Sequence, residues 1–171
     1  GSRYSLRSVN GLKIFLIAYV WTASTVALPL MTTHFVTLDK FNFILLCLKR
    51  FVFILAITIP FDIRDFESDR STNLLTLPGM MGKRRAKILS IALMFLFALL
   101  VYIQNGFSNI GIALLVSDLF TLVLLLNVND NRSEYYFTGL IDATIIVQFV
   151  CVWVAVETAW FVGLLRGCLR R

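Results

Sequence analysis

Five long apolar runs constrain this chain more than any other feature of its sequence. They are Leu12 to Met31, Phe41 to Phe61, Ile88 to Gln104, Ile110 to Asn127 and Phe137 to Leu165. A helix needs about 20 predominantly apolar residues to cross the hydrocarbon core of a bilayer, and each run is of that order. The runs are continuous, as in IALMFLFALLVYI, whereas a spanning β-strand would alternate polar and apolar residues over a short segment. Composition agrees: 58% of the residues are hydrophobic and 15% charged, against about 45–50% and about 25% in a soluble domain. A soluble fold of this size would leave large apolar patches in water, and disorder is excluded by the same numbers. The expectation is an all-α, multi-pass transmembrane bundle of about five spanning helices, forming a single domain over residues 1–171.

The formal net charge of +6 would suggest nucleic acid in a soluble protein. Here the basic residues first report topology, and no nucleic-acid partner is expected. Arg3, Arg7 and Lys13 precede the first run, and Arg64, Arg70, Lys83, Arg84, Arg85 and Lys87 separate the second from the third. With Arg132 between the fourth and fifth, alternation places nearly all of them on one side, which the positive-inside rule makes cytoplasmic. Arg166, Arg170 and Arg171 run against that assignment. A cell (inner) membrane is the expected location. Cys47, Cys151 and Cys168 form no CxxC pair and His34 is the sole histidine, so neither a zinc site nor a disulfide framework is indicated.

The second run ends in Ile59-Pro60-Phe61 and continues as Asp62-Ile63-Arg64-Asp65-Phe66-Glu67-Ser68-Asp69-Arg70. Asp62, Asp65 and Asp69 stand at i, i+3 and i+7, which share one face of a helix. Three like charges on one face repel, and a divalent cation removes the repulsion. Mg²⁺ favours one or two carboxylates together with substrate phosphates and retained waters. Arg64, Arg70 and the Lys83-Arg84-Arg85 cluster are placed to neutralise phosphate oxygens. A solvated charged helix end accounts for the aspartates alone equally well.

The wider stretch, DIRDFESDRSTNLLTLPGMMG from Asp62 to Gly82, resembles the second aspartate-rich signature of the UbiA superfamily of membrane prenyltransferases. Asp62, Ile63, Asp65, Glu67, Asp69, Arg70, Thr76, Leu77, Pro78 and Gly82 fall in register with it, while Ser68 and Asn73 replace frequent glycines. Tyr4 and Arg7 look like a weak form of the family's Tyr-x-x-x-Lys stretch, and Tyr135-Tyr136 with Asp142 is similar to the entrance of its last helix. The resemblance implies the last five of nine helices. The family's first aspartate-rich motif has no counterpart before Asp62, and the chain opens on Gly-Ser rather than Met. The expectation is therefore the C-terminal part of a longer protein, inactive without the N-terminal helices that complete it.

The activity implied by the resemblance is Mg²⁺-dependent transfer of a prenyl group from a polyprenyl diphosphate to a lipophilic acceptor within the membrane. Asp62, Asp65 and Asp69 would hold the metal and carry catalysis; Arg64, Arg70, Lys83, Arg84, Tyr4, Arg7 and Asp142 would bind substrate. Phe51, Phe53, Phe95, Phe97, Phe149 and Trp153 could wall an apolar cavity, although packing explains each of them singly. A CDP-alcohol phosphatidyltransferase would need a D-G-x-x-A-R pattern that is missing here. The remaining alternative is a non-enzymatic multi-pass protein, a scaffold or transporter piece.

Three charges fall inside the runs: Lys49, Arg50 and Asp118. Intramembrane charges usually pair. Lys49 and Asp118 each lie about eight residues into their runs, roughly 12 Å deep at ~1.5 Å per residue, so an ion pair between Asp118 and Lys49 or Arg50 is expected. The competing expectation is that the two cations snorkel to the nearer interface.

Overall fold

A computed structural model describes residues 11–32, 39–67, 76–128 and 135–168. All the regular structure among them is helical. We label the helices α1 (Leu12–Thr32), α2 (Lys40–Arg64), α3 (Leu77–Met81), α4 (Lys83–Asn105), α5 (Asn109–Leu126) and α6 (Asp142–Cys168). Five of them, all but α3, are long and apolar enough to cross a membrane, and they match the five runs in order. The protein is an all-α multi-pass bundle. Two π-helical segments interrupt the regularity: Ala23–Ala27 within α1, and Tyr136–Ile141 leading into α6. The first lies just before Pro29, whose ring nitrogen cannot donate to the preceding turn.

The helices stand in an open row. α1 packs on α2, α2 on α4, α4 on α5, and α5 on α6. The row comes back on itself at one end, where the π-helical turn Tyr136–Ile141 meets α2. Among the described residues α1 and α6 form no seam like those that join the other neighbours, so the row stays open between its two ends. α2 is the axis: 56% of its spanning window is buried, against 17% for α1 and 11% for α6. Its residues Phe53, Ile54, Ala56 and Ile59 are sealed, and Phe53 meets Phe97 of α4 with ring centroids 5.3 Å apart.

The Ile59-Pro60 step does not end α2; the helix runs through Pro60 to Arg64 and carries Asp62 with it. Proline has no N–H for the carbonyl four residues back, which is that of Ala56. Ser90 of α4 supplies the missing donor: its hydroxyl bonds the Ala56 carbonyl at 2.6 Å, with Ser90 itself 1% exposed. The carbonyl freed by Pro60 is thus satisfied by a neighbouring helix, as an apolar environment demands.

The α4–α5 connection is a tight uncharged turn. Gly106 has φ 52°, which favours glycine, and Ser108 caps α5 by accepting from Gly111 N–H at 3.1 Å. Gly111 sits so close to the Gly106 carbonyl that a Cβ there would collide with it. At its far end α5 is closed by long-range donors. Lys87 of α4 bonds the carbonyls of Leu126 and Val128 at 2.8 and 2.7 Å, and the Tyr136 hydroxyl bonds that of Leu124 at 2.6 Å.

Replacing Ser90 by Ala leaves the Ala56 carbonyl buried and unbonded, and should destabilise the bundle by about 1–3 kcal/mol in reversible unfolding from mixed micelles. In a Pro60→Ala background the regular backbone bond can re-form, so the same substitution should cost markedly less. Equal losses in both backgrounds would contradict the pairing of Pro60 with Ser90.

Candidate functional site

The last turn of α2 delivers the first part of the aspartate-rich stretch to the membrane boundary. Asp62 is 2% exposed, held between buried Ile59 and Ile63 on the inward side of the helix. Regular helix ends at Arg64 and Asp65 is the C-terminal cap, so the carboxylates one turn apart sit in different settings. Asp65 is about one-third exposed and is gripped by Arg64 through two bonds, Nε to Oδ1 at 2.7 Å and Nη2 to Oδ2 at 3.1 Å. This parallel, charge-assisted geometry fixes both side chains.

Arg64 owes its orientation to aromatic residues on two elements. Its Cζ lies 5.6 Å from the Phe61 ring centroid and 5.9 Å from that of Phe137. Phe137 belongs to the π-helical turn before α6 and is 2% exposed. A cation over two ring faces is held by their quadrupoles while its N–H groups stay available for oxygens. Asp142, the first residue of α6, lies within Coulombic reach of the same guanidinium. Arg64 is therefore paired with Asp65 and feels the charge of Asp142 from a second helix, two residues along the chain from buried Asp62.

The basic cluster is less concentrated than its sequence suggests. Lys83, at the start of α4, turns to Glu67 (Nζ to Oε1 3.4 Å) and lies over the Phe66 ring at 4.9 Å. Arg84 and Arg85 are exposed, and Lys87 is committed to capping α5. Asp69, Arg70, Tyr4 and Arg7 lie outside the described residues, so the full trio Asp62, Asp65 and Asp69 cannot be placed together. Among the described residues no group of three or more His, Cys, Asp and Glu side chains could share a metal ion. Asp62 and Asp65 are nonetheless oxygen donors of the kind and number that Mg²⁺ takes from protein when phosphates and waters complete its shell.

The expected ion pair of Asp118 with Lys49 or Arg50 does not form. Lys49, 4% exposed, donates to Asn105 Oδ1 at 2.9 Å at the end of α4. Arg50, the next residue round the helix, points the other way. Its Nη1 bonds Gln148 Oε1 of α6 at 2.8 Å, and its Nε bonds Thr25 Oγ1 of α1 at 3.2 Å. Asp118 is buried, with Oδ1 lacking any hydrogen-bond partner. Equal depth was insufficient because the three side chains leave their helices in different directions, and neutral amides reach the cations first. The aromatic residues divide too: Phe53 and Phe97 are core, while Phe95, Phe149 and Trp153 are exposed.

Sequence reasoning did not single out Phe61 and Phe137, whose rings aim Arg64. The available signal was a Phe one turn before the arginine, at i−3, and the aromatic Tyr-Tyr-Phe run before Asp142. No family model, curated protein or solved structure matches this chain.

The burial contrast is testable by thiol labelling after Cys47, Cys151 and Cys168 are replaced by Ser. Asp65→Cys should react with a membrane-impermeant maleimide at least about tenfold faster than Asp62→Cys. Equal rates would show that Asp62 is not enclosed. Applying the reagent to one side of oriented vesicles at a time also reads which side carries Asp65.

Proposed function

We propose that this chain forms part of a membrane prenyltransferase of the UbiA type, transferring a prenyl group from a polyprenyl diphosphate to a lipophilic acceptor with Mg²⁺. The observation that carries the reading is the pairing of Asp65 with Arg64 at the end of α2, one turn from buried Asp62 and within Coulombic reach of Asp142. The ten in-register positions from Asp62 to Gly82 support it independently.

In this reading the apolar tail of the donor stays in the bilayer and only its diphosphate must reach the cluster. Asp62 and Asp65, with Asp69, would hold Mg²⁺. That ion would neutralise charge building on the departing diphosphate. Arg64 is pre-aimed by Phe61 and Phe137, so a phosphate that took the place of Asp65 would meet a guanidinium already held in position. Exchange of Asp65 for phosphate oxygens on Arg64 would free the carboxylate for the metal. Arg70, Lys83 and Arg84 would add positive charge around the same group, and the loop that carries them would face the cytoplasm. A second carboxylate set, facing the first, would come from further helices of the same protein.

One observation favours a non-enzymatic multi-pass protein instead. Arg64 with Asp65, and Lys83 with Glu67, are already paired without any ligand, as structural ion pairs would be. Substitution separates the two readings. Asp65→Ala and Asp69→Ala in the full-length protein should each lower prenyl transfer at least about a hundredfold, with folding unchanged by circular dichroism. Full activity in both variants would exclude the enzymatic reading. Vesicles holding only these 171 residues should show no transfer with Mg²⁺ present.

A further inference from the structure

Arg50 occupies an expensive position. It lies ten residues from the Lys40 end of α2 and fourteen from the Arg64 end. At ~1.5 Å per residue this is roughly 15 and 21 Å, close to the middle of a ~30 Å hydrocarbon core. A guanidinium cannot shed its proton there. Its two bonds go to neutral oxygens, on Thr25 and Gln148, and its third nitrogen bonds none of the described residues. Among the described residues no carboxylate lies within ion-pair distance of it.

The surroundings place this charge at an opening. Thr25 belongs to the π-helical segment of α1 and Gln148 to α6, the two helices at the open ends of the row. They are also the two least buried spans of the bundle. Arg50 therefore bonds both end helices of the open row. π-helical segments recur where a helix is deformed to present a group for function.

We propose that the open side of the row, between α1 and α6, receives another transmembrane helix bearing an aspartate or glutamate near its midpoint, and that Arg50 is the receptor for that carboxylate. Depth excludes the other anions. Lipid phosphates lie at the membrane boundary, about 15 Å away. A second copy of this chain offers no described carboxylate at the right level. Asp142 and Glu157 lie six and nine residues from Gln148 along α6, about 9 and 14 Å away in opposite directions. Asp118 is buried within its own bundle, and the others stand at helix ends. Charged residues inside membranes are characteristically matched across helices, and no described carboxylate matches Arg50.

The test uses the complete chain in phosphatidylcholine vesicles with a labelled, otherwise poly-leucine transmembrane peptide carrying one central Asp. Association read by energy transfer should be roughly tenfold tighter than for the all-leucine peptide, equivalent to about 1.4 kcal/mol. The excess should vanish when the Asp is moved two turns toward either end, and in Arg50→Gln, which keeps polar contacts to Thr25 and Gln148. As a check independent of Arg50→Gln folding, Arg50→Glu should prefer a central-Lys peptide. Equal binding of the Asp and all-leucine peptides would overturn the proposal. So would an excess that persists in Arg50→Gln, or one abolished by adding phosphatidylglycerol, which would assign Arg50 to lipid.

Discussion

Every backbone polar group inside a bilayer must find its partner within the protein, and this one requirement organises the bundle. It makes the spans helical. It also determines what happens wherever the helical ladder is broken. At Pro60 the lost donor is replaced by Ser90 from the adjacent helix. At the end of α5 the last carbonyls are met by Lys87 and Tyr136, from forty residues before and ten residues after. Hydroxyls within the spans follow the same rule: Thr22, Thr58 and Thr121 each bond the carbonyl one turn earlier rather than facing hydrocarbon unpaired. The helices therefore pack through polar stitches as well as through Phe53, Ile59 and Phe97.

The five spans were legible because their apolar runs are long and uninterrupted, and the structure moves their ends by only a few residues in most cases. The largest discrepancies have physical causes. Pro60 reads as a terminator on local grounds, yet α2 continues for another turn because a serine thirty residues away supplies the absent hydrogen bond. α4 begins at Lys83, ahead of its apolar run, because its first turn lies at the boundary, where charged side chains remain partly exposed. The partners of Lys49 and Arg50 could not be read from depth. Helical rotation between neighbouring residues sends one cation toward α4 and the other toward α6.

The candidate site was legible in part. Asp62, Asp65, Arg64 and Asp142 were named from spacing and resemblance, and the described ones among the site residues lie at a shared boundary. Their unequal burial was not foreseen, since a helical-face argument treats Asp62 and Asp65 alike whereas the helix ends between them. The clamp of Arg64 between Phe61 and Phe137 depends on a π-helical turn that brings a residue seventy positions away over the guanidinium. Neither propensity nor periodicity encodes such a turn in a single sequence.

The short turn between α4 and α5 bears on how the protein enters its membrane. Asn105 to Ser108 carry no charge, and Gly106 with Gly111 let the two backbones come close at the bend. Two spans joined so tightly can insert as one preassembled hairpin, with no charged residue in the turn that must cross the hydrocarbon. Biogenesis of this half of the bundle then reduces to a single insertion event, leaving α2 to be met afterwards by a paired surface that already contains Ser90.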